Sequence, residues 1–256
     1  MGSRKFWTEG WGSFAVAIII ALVIRWGLIE AYVIPSASML PTLLIHDHIF
    51  VNKAIYGIRV PFSEKWLVQF KKPERGEVIV FKYPKDPSVS FIKRIVGVPG
   101  DKIFYENGKL IINDKVLETE EQATGGEWDN VAKSDFRRED DENSAEQADD
   151  KTNYNHFIEH LDNHTHSILL RKDHRFGRSE GPWTVPEGTL FCMGDNRDNS
   201  HDSRYWGFMP EENLLGRAMF VWLSCEETLP NLGPIPLSFL CNPLTIRWSR
   251  FFHEVK

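Results

Sequence analysis

Cysteine is scarce in this sequence, with three among 256 residues. Cys192, Cys225 and Cys241 form neither an even set nor a CxxC pair, which excludes a disulfide-rich scaffold and a cysteine-based zinc knuckle. A bridge between Cys225 and Cys241 and a set of buried free thiols are both compatible with this pattern.

An excess of positive charge is also missing. The 36 Asp and Glu residues outnumber the 30 Lys and Arg residues, which gives a formal net charge of −6. A protein that binds nucleic acid needs clustered Lys and Arg to contact phosphates, so we expect no nucleic-acid partner. The 256 residues, of which 42% are hydrophobic, suffice for one large core or two small ones.

Long hydrophobic runs are limited to one, over residues 13–34. A helix of this length, at about 1.5 Å per residue, spans roughly the 30 Å hydrocarbon core of a bilayer. Arg25 and Glu30 interrupt the run, and each needs a partner or access to the interface. We interpret the run as an uncleaved transmembrane anchor, with a secretory signal peptide as the alternative.

The charges that precede this run predict its orientation. Arg4 and Lys5 lie in the short segment 1–12, and basic residues tend to stay on the cytoplasmic side. The N-terminus is therefore expected in the cytoplasm and the chain after Pro35 on the outer side of the membrane.

Helical periodicity is hard to find after the hydrophobic run. Segments such as HIFVNKAIYGIRV, GEVIVFKYP and GRAMFVWLS are rich in β-branched and aromatic residues and are bounded by turn residues. We predict a mainly β fold, in which the transmembrane helix is followed by a coiled antiparallel β-sheet domain. The first half of this domain is expected over residues 35–100, the second over 184–225, and a Pro-rich C-terminal tail over 226–256.

Residues 101–183 are predicted to form a variable insertion. Acidic residues outnumber basic ones about threefold between residues 118 and 152, which is typical of a solvated, mobile loop. On either side of this loop, residues 101–116 and 165–183 are predicted to pair as a small β insertion.

No G-x-S-x-G nucleophile elbow is present, and Ser38 is the best candidate for a nucleophile. Pro35 and Pro41 stiffen the segment around it into a non-helical strand or turn, and a rigid backbone holds a nucleophile at a fixed angle. Ser36 projects to the same side of an extended chain, so its hydroxyl is expected to face the same space.

A serine hydroxyl needs a base, for which Lys93 is the best candidate. Its neighbours Phe91, Ile92 and Ile95 create an environment that disfavours an ammonium ion. Burial lowers the pKa of a lysine, and a neutral lysine can accept a serine proton, as in Ser/Lys variants of serine proteases. The local sequence is also compatible with an exposed lysine on a strand.

A third polar segment, over residues 193–217, reads MGDNRDNSHDSRYWGFMPEENLLGR. Turn residues in this number are compatible with a long loop. The alternation of Asp and Arg, however, is more typical of an ion-paired platform that holds other groups in place.

Three segments together resemble one family, the bacterial type I signal peptidases or leader peptidases. PSASMLPTL is similar to the nucleophile segment of the family, FIKRIVGVPGD to its lysine segment, and GDNRDNSHDSRYWGF to its late conserved box, in the same order along the chain. RGEVIVFKYP, residues 75–84, resembles a further strand of the family. Residues 118–183 show little likeness.

The resemblance implies a role for each matching residue. Ser38 is implied as the nucleophile, Lys93 as the general base, and Ser36 as an oxyanion-hole hydroxyl beside the backbone N–H of Ser38. The groups implied to orient and support the lysine are Ser200 and an Asp202–Arg204 ion pair. Ala37 stands where many members of the family have glycine, which slightly limits backbone freedom beside the site.

The resemblance also implies small S1 and S3 pockets. The residues expected at S1 are Ile34, Met39, Leu43, Phe91 and Ile92, and those towards S3 are Tyr32, Ile49 and Val80. The implied activity is that of a membrane-anchored serine endopeptidase, without metal or cofactor, that removes signal peptides from secreted preproteins after small residues at P1 and P3. Signal peptides and the lipid bilayer are the expected partners, and the bacterial plasma membrane, with the catalytic domain on the periplasmic side, is the expected location.

The sequence leaves other interpretations open. HFIEH matches the H-x-x-E-H pattern of inverted zincins, in which His156 and His160 would hold zinc and Glu159 would act as base. A non-catalytic, membrane-tethered β module that binds a partner through its acidic loop is a second alternative, but it leaves the context of Ser38 unexplained. Self-cleaving Ser/Lys regulators share the dyad, but they are soluble.

Candidates for contact with the lipid interface are Trp66, Trp183, Trp206 and Trp222.

Overall fold

The computed structural model describes residues 11–60, 66–136, 150–173, 179–231, 237 and 239–256. In this part of the chain strands predominate, and the mainly β fold predicted from the sequence is confirmed. The α-helices among the described residues are α1 (Trp11–Gly27) and α2 (Ser203–Trp206).

Over the described ranges, the largest sheet has eight strands, each hydrogen-bonded to its neighbours in antiparallel fashion. In spatial order its strands are β1 (Ile29–Val33), β2 (Asp47–Asn52), β16 (Leu214–Ser224), β5 (Val78–Tyr83), β6 (Asp86–Gly97), β14 (Thr189–Met193) and β15 (Met209–Pro210), and β17 (His253–Glu254) pairs with β16. Segments before and after the predicted insertion therefore alternate within one sheet.

Three smaller sheets accompany the largest sheet in the described segments of the chain. Their strands are β13 (Ser179–Thr184), β7 (Lys102–Glu106), β8 (Lys109–Ile112) and β9 (Lys115–Val116) in the first; β10 (Thr119–Glu121), β11 (Tyr154–Leu161) and β12 (His164–Arg171) in the second; and β3 (Gly57–Arg59) with β4 (Trp66–Gln69) in the third.

Strand β5 illustrates why these segments read as continuous hydrophobic runs. Successive side chains of a strand point to opposite faces, and both faces of β5 are buried. Val78 and Val80 pack in one hydrophobic cluster, whereas Ile79 and Phe81 pack in another. The main sheet thus separates two apolar cores.

The predicted anchor over residues 13–34 is wrong at its C-terminal end. Helix α1 ends at Gly27, and residues 29–33 form β1, which pairs with β2 along its whole length. Glu30 gains a partner by this pairing, since Lys53 Nζ lies 3.2 Å from its carboxylate. Among the described residues, we find no helix that is both apolar and long enough to cross a bilayer. Residues 1–10 of the predicted cytoplasmic segment lie outside the described part of the chain.

The pairing predicted within the insertion is correct in one half. Strand β13 pairs with β7, as expected for the segments 101–116 and 165–183. Strand β12, however, pairs with β11, because the adjacent hairpin partner satisfies its backbone locally. The described residues of the insertion therefore contribute two sheets.

The predicted acidic mobile loop over residues 118–152 is wrong for its first part. Strand β10 and two 3-10 helices, Gly126–Asn130 and Lys133–Phe136, occupy this region. Trp128 and Phe136 are buried against Leu40 and Leu44, which lie beside Ser38 in the sequence. Residues 137–149 lie outside the described part of the chain.

The predicted C-terminal tail is also integrated into the domain. Cys225 and Cys241 form a disulfide bond, whereas Cys192 is a buried free thiol. Arg250 is fully buried and donates from Nε to both carboxylate oxygens of Asp47, at 3.1 Å each. The chain after the disulfide thus supports the start of β2.

Replacing Trp128 with Ala is expected to lower the free energy of unfolding by about 4 kcal/mol, since the substitution leaves a cavity in a packed cluster. Urea denaturation would measure this change. Trp248→Ala is the matched control, because 71% of Trp248 is exposed, and its effect should stay below about 0.5 kcal/mol. Equal effects of the two substitutions would contradict the packing of the acidic segment against the chain beside Ser38.

Candidate active site

Ser38 lies in a short 3-10 helix, Ala37–Met39, that follows β1. Ser36 precedes it in an extended conformation, and Met39 and Leu40 after it are fully buried. The backbone N–H of Leu40 donates to the carbonyl of Ala37 at 3.2 Å, which closes the turn. Buried side chains and a following proline therefore fix the backbone that carries the hydroxyl.

Lys93 on β6 reaches this turn from 55 residues away in the sequence. Its Nζ lies 2.7 Å from Ser38 Oγ and also donates to the carbonyl of Ile92 at 2.8 Å. Ser36 Oγ lies 3.3 Å from Ser38 Oγ. Two hydroxyls and one amine thus meet at the edge of the core, where Ser38 and Lys93 are buried and Ser36 is exposed.

Burial sets the protonation of this amine. Only 4% of Lys93 is exposed, and desolvation lowers its pKa to about 8, although the negative charge of Asp202 partly opposes the shift. A substantial fraction of the amine is therefore neutral at mildly alkaline pH. In this form Lys93 can accept the proton of Ser38, and the arrangement is suited to nucleophilic attack on a carbonyl.

Asp202 and Arg204 form a buried ion pair behind the lysine. Arg204 donates from Nε to Oδ1 and from Nη2 to Oδ2 of Asp202, both at 2.8 Å. Burial alone would raise the pKa of Asp202, but the Arg204 guanidinium outweighs it and holds the pKa below its ordinary value. Ser200 is buried nearby, and a side-chain interaction with Asp202 further lowers the pKa of that carboxyl. Among the described residues, no hydrogen bond joins Ser200 Oγ to the Lys93 amine.

The loop over residues 194–198, here called the catalytic loop, clamps the Ser38 turn. Asn196 donates from its backbone N–H to the carbonyl of Ser38 at 3.2 Å and from Nδ2 to the carbonyl of Ala37 at 3.1 Å. A Cβ atom on Gly194 would lie 2.4 Å from the Ser38 carbonyl oxygen, so only glycine fits there. At Gly194 the loop therefore approaches the turn through backbone atoms.

Arg94 and Asp195 are two residues to which the sequence analysis gave no role. Arg94, fully buried, donates from Nε and Nη2 to the two carboxylate oxygens of Asp195 at 2.8 and 2.7 Å. Thr42 donates to the same carboxylate at 2.6 Å. This network joins the strand of Lys93, the catalytic loop and the chain after Ser38. An arginine within the hydrophobic segment FIKRIV was the available signal, because a buried arginine requires a carboxylate partner.

Most of the predicted pocket residues lie in one buried cluster. It contains Ile34, Met39, Leu43, Ile49, Val80 and Ile92, and Tyr32 packs against it half-buried. Phe91 belongs to the neighbouring cluster, where it stacks on Tyr83, but its ring centroid is 5.4 Å from Lys93 Nζ.

The zinc-protease interpretation of HFIEH is contradicted. The motif lies on strand β11 and not on a helix, so His156 and Glu159 point to opposite faces. The Glu159 carboxylate is bound by Arg197, and His156 Nδ1 lies 2.8 Å from the carbonyl of Gln122. Within the described residues, the group of potential metal ligands consists of His48 and the two disulfide-bonded cysteines.

Comparison with known proteins identifies the family. The family model described as signal peptidase, peptidase S26, matches residues 7–223. The chain belongs to this family. It is therefore a serine peptidase, and the family match includes the Ser38 turn, Lys93 and the catalytic loop.

Curated relatives of this peptidase cover most of its length. A signal peptidase I from Pseudomonas fluorescens is 38% identical over 235 residues, which are 88% of this chain and 74% of that protein. A signal peptidase I from Rickettsia felis is 33% identical over 267 residues, covering 99% of this chain and 95% of that protein. A crystal structure of a signal peptidase I from Enterococcus faecalis V583 aligns with 27% identity over 58% of this chain and 98% of that chain, but its TM-score of 0.31 is too low to support an argument.

Replacing Lys93 with Met is expected to stabilise the peptidase at pH 7. The folded-state pKa of about 8 lies below the ordinary value of 10.5, so the unfolded state binds more protons between these values, and burying the ammonium costs stability below pH 8. A shift of this size corresponds to about 3 kcal/mol. The gain should be largest below pH 8 and shrink as the pH rises towards 10.5.

Urea denaturation at neutral and alkaline pH would test this expectation. Lys109→Met is the matched control, since Lys109 is exposed on β8. A Lys93→Met variant that is less stable than the parent protein at pH 7, or equally affected at every pH, would contradict the desolvation of the amine.

Proposed function

We propose that Ser38 is the nucleophile and Lys93 the general base of a membrane-bound peptidase that removes signal peptides from secretory preproteins. The observation that carries this proposal is the 2.7 Å contact between Lys93 Nζ and Ser38 Oγ. The buried amine, with its pKa of about 8, supports the role of Lys93 as a base.

The first half of the reaction forms an acyl-enzyme. Neutral Lys93 accepts the proton of Ser38 as Oγ attacks the carbonyl carbon of the last residue of the signal peptide. Ser36 Oγ and the backbone N–H of Ser38 donate to the oxyanion, and one such donor contributes about 3 kcal/mol in related chemistry. The C–N bond then breaks, the Lys93 ammonium gives its proton to the leaving amine, and the mature protein departs.

Hydrolysis of the acyl-enzyme completes the cycle. Lys93 takes a proton from a water molecule as the water attacks the ester carbonyl, and Ser38 regains its proton when the signal peptide leaves. While Ser38 Oγ is esterified it carries no proton and cannot donate a hydrogen bond to the amine. We assign Ser200, which is buried beside Asp202, to orient the amine, and Asp202 with Arg204 to hold the supporting charge.

The substrate preference follows from the apolar residues around the turn. Side chains at P1 and P3 would contact the S1 residues Ile34, Met39, Leu43, Phe91 and Ile92 and the S3 residues Tyr32, Ile49 and Val80. The close packing of most of these side chains in one cluster supports a preference for small apolar residues.

The proposal also includes association with the membrane. Helix α1 exposes apolar side chains on all sides for which exposure is described, and Leu28 alone separates it from β1. Arg4 and Lys5 favour a cytoplasmic N-terminus and a β domain on the outer side. We infer that α1 lies in the bilayer and that the sheet rests on its outer surface.

The aromatic residues suited to contact lipid differ from those expected from the sequence. Trp206 is buried in the core, and Trp66, Trp183 and Trp222 are half-buried. Trp248 and Phe252 are instead largely exposed, at 71% and 70% of their surface. These rings are connected to the sheet through Phe220, whose ring centroid is 5.8 Å from that of Phe252.

Cleavage of a preprotein in detergent tests the catalytic assignment. Ser38→Ala and Lys93→Ala should each lower kcat by more than about a thousandfold, because the two residues act as a unit. For the parent protein kcat/KM should rise with pH through about 8, since only the neutral amine is active. EDTA should have no effect. Substantial cleavage by Lys93→Ala would contradict its role as the base.

Fluorescence quenching in liposomes tests the membrane contact. A fluorophore would be attached to the full chain at a cysteine introduced by Trp248→Cys. Val116→Cys, labelled in the same way, is the control. Both labelled proteins would be placed in vesicles of phosphatidylethanolamine and brominated phosphatidylglycerol, whose bromine atoms quench a fluorophore that contacts the lipid. The label at position 248 should be quenched, and the label at position 116 on the insertion should not. Equal quenching at both positions would contradict the proposed face.

A further inference from the structure

Five buried polar side chains connect the insertion to the catalytic loop. Glu159 and His166 lie opposite each other on strands β11 and β12, Asp195 and Arg197 belong to the loop, and Arg94 lies on β6. Arg197 donates from Nη1 and Nη2 to the two carboxylate oxygens of Glu159, at 2.9 and 2.5 Å. Together with the Arg94–Asp195 pair, this gives two cations and two anions in a region without solvent access.

The protonation states keep this group balanced. Burial alone would raise the pKa of Glu159, but the Arg197 guanidinium outweighs it and holds the pKa well below its ordinary value. Burial and the charge of Arg94 lower the pKa of His166, whose Nε2 lies 3.3 Å from Glu159. His166 is therefore neutral, and Glu159 is the carboxylate that neutralises Arg197.

The backbone of the catalytic loop also pairs with the insertion. The N–H of Leu169 donates to the carbonyl of Asp195 at 2.9 Å, and the N–H of Arg197 donates to the carbonyl of Leu169 at 3.0 Å. Asp198 accepts from the N–H of Arg171 at 2.9 Å. The loop thus extends the edge of β12, and Glu159 reaches it from the strand beyond.

Two contacts lead from Arg197 to the reacting groups. The adjacent residue Asn196 holds the carbonyls of Ala37 and Ser38. The carbonyl of Arg197 accepts from Nη2 of Arg204, which binds Asp202. A shift of the Arg197 backbone would therefore displace both the nucleophile turn and the charge that faces Lys93.

We propose that Glu159 is a positioning residue for the reaction, which through Arg197 holds the catalytic loop in register with Ser38 and Lys93. Strands β11 and β12 of the insertion are thereby a functional part of the catalytic centre. This inference rests on the proposed roles of Ser38 and Lys93. Glu159 acts only on the position of the reacting groups and does not contact them. Replacing it is therefore expected to lower kcat and to leave substrate binding unchanged.

The experiment separates positioning from stability. Glu159→Leu leaves Arg197 unpaired and buried, and should lower both Tm and kcat. The double variant Glu159→Leu/Arg197→Met replaces the ion pair with apolar side chains, which often restores stability. Its Tm should return close to that of the parent protein, while kcat stays lower by at least about tenfold and KM stays within about twofold, because a small displacement of catalytic groups is costly.

Arg75→Met is the matched control. Arg75 bridges Asp101 and Asp162 in the insertion without contacting the catalytic loop in the described part of the chain. This variant should lower Tm and leave kcat unchanged. Glu159→Gln supplies a second measurement if the double variant does not unfold cooperatively: it keeps the size of the side chain, removes the charge, and should lower kcat by at least about threefold at constant KM.

A double variant with the kcat of the parent protein would overturn the proposal, since the ion pair would then contribute only stability. Where the double variant cannot be assayed, a Glu159→Gln variant with unchanged kcat would overturn it. Either result together with inactive Ser38→Ala and Lys93→Ala variants would leave the proposed function intact. Active Ser38→Ala or Lys93→Ala variants would instead contradict the proposed function itself.

Discussion

The hydrogen bond between Lys93 and Ser38 depends on the exclusion of water, and the rest of the structure maintains that exclusion. A lysine amine in water is an ammonium ion and cannot accept a proton, so the dyad requires a low-dielectric environment. The sheet supplies it through the apolar neighbours of Lys93 on β5, β6 and β14. The same burial costs folding free energy, which the surrounding cores offset.

The reaction also requires that the serine is held in a fixed position, and three segments that are far apart in the sequence hold it there. The prolines and buried side chains around residue 38 shape the turn, the catalytic loop binds its carbonyls, and the insertion packs against its other side. Trp128, Phe136 and Leu169 of the insertion share one hydrophobic cluster with Ala37 and Leu40. The insertion thus completes the wall behind the nucleophile, although its composition suggests a separate, solvated element.

The parts of the site that are local in sequence could be predicted, and the parts that depend on distant partners could not. A serine between prolines and a lysine among apolar residues carry their signals within a few positions. The burial of Trp128, by contrast, depends on Leu40 and Leu44. These residues lie far from the acidic segment in the sequence, so the composition of that segment does not indicate the contact. HFIEH suggested metal ligands because of its spacing, but strand geometry separates His156 from Glu159. The end of α1 was missed because residues 29–33, apart from Glu30, are apolar or aromatic and continue the hydrophobic run, and only their pairing with β2 shows that they form a strand.

Within the part of the chain that the structure describes, three arginines are fully buried, and each has its own carboxylate: Arg94 with Asp195, Arg197 with Glu159, and Arg250 with Asp47. The members of each pair are far apart in the sequence, and removing one of them leaves an uncompensated charge in the interior. Natural selection therefore acts on each pair as a unit. As homologous chains diverge, we expect the two positions of each couple to be kept or exchanged together, so that the ancestry of the protein preserves a record of contacts that a single sequence does not reveal.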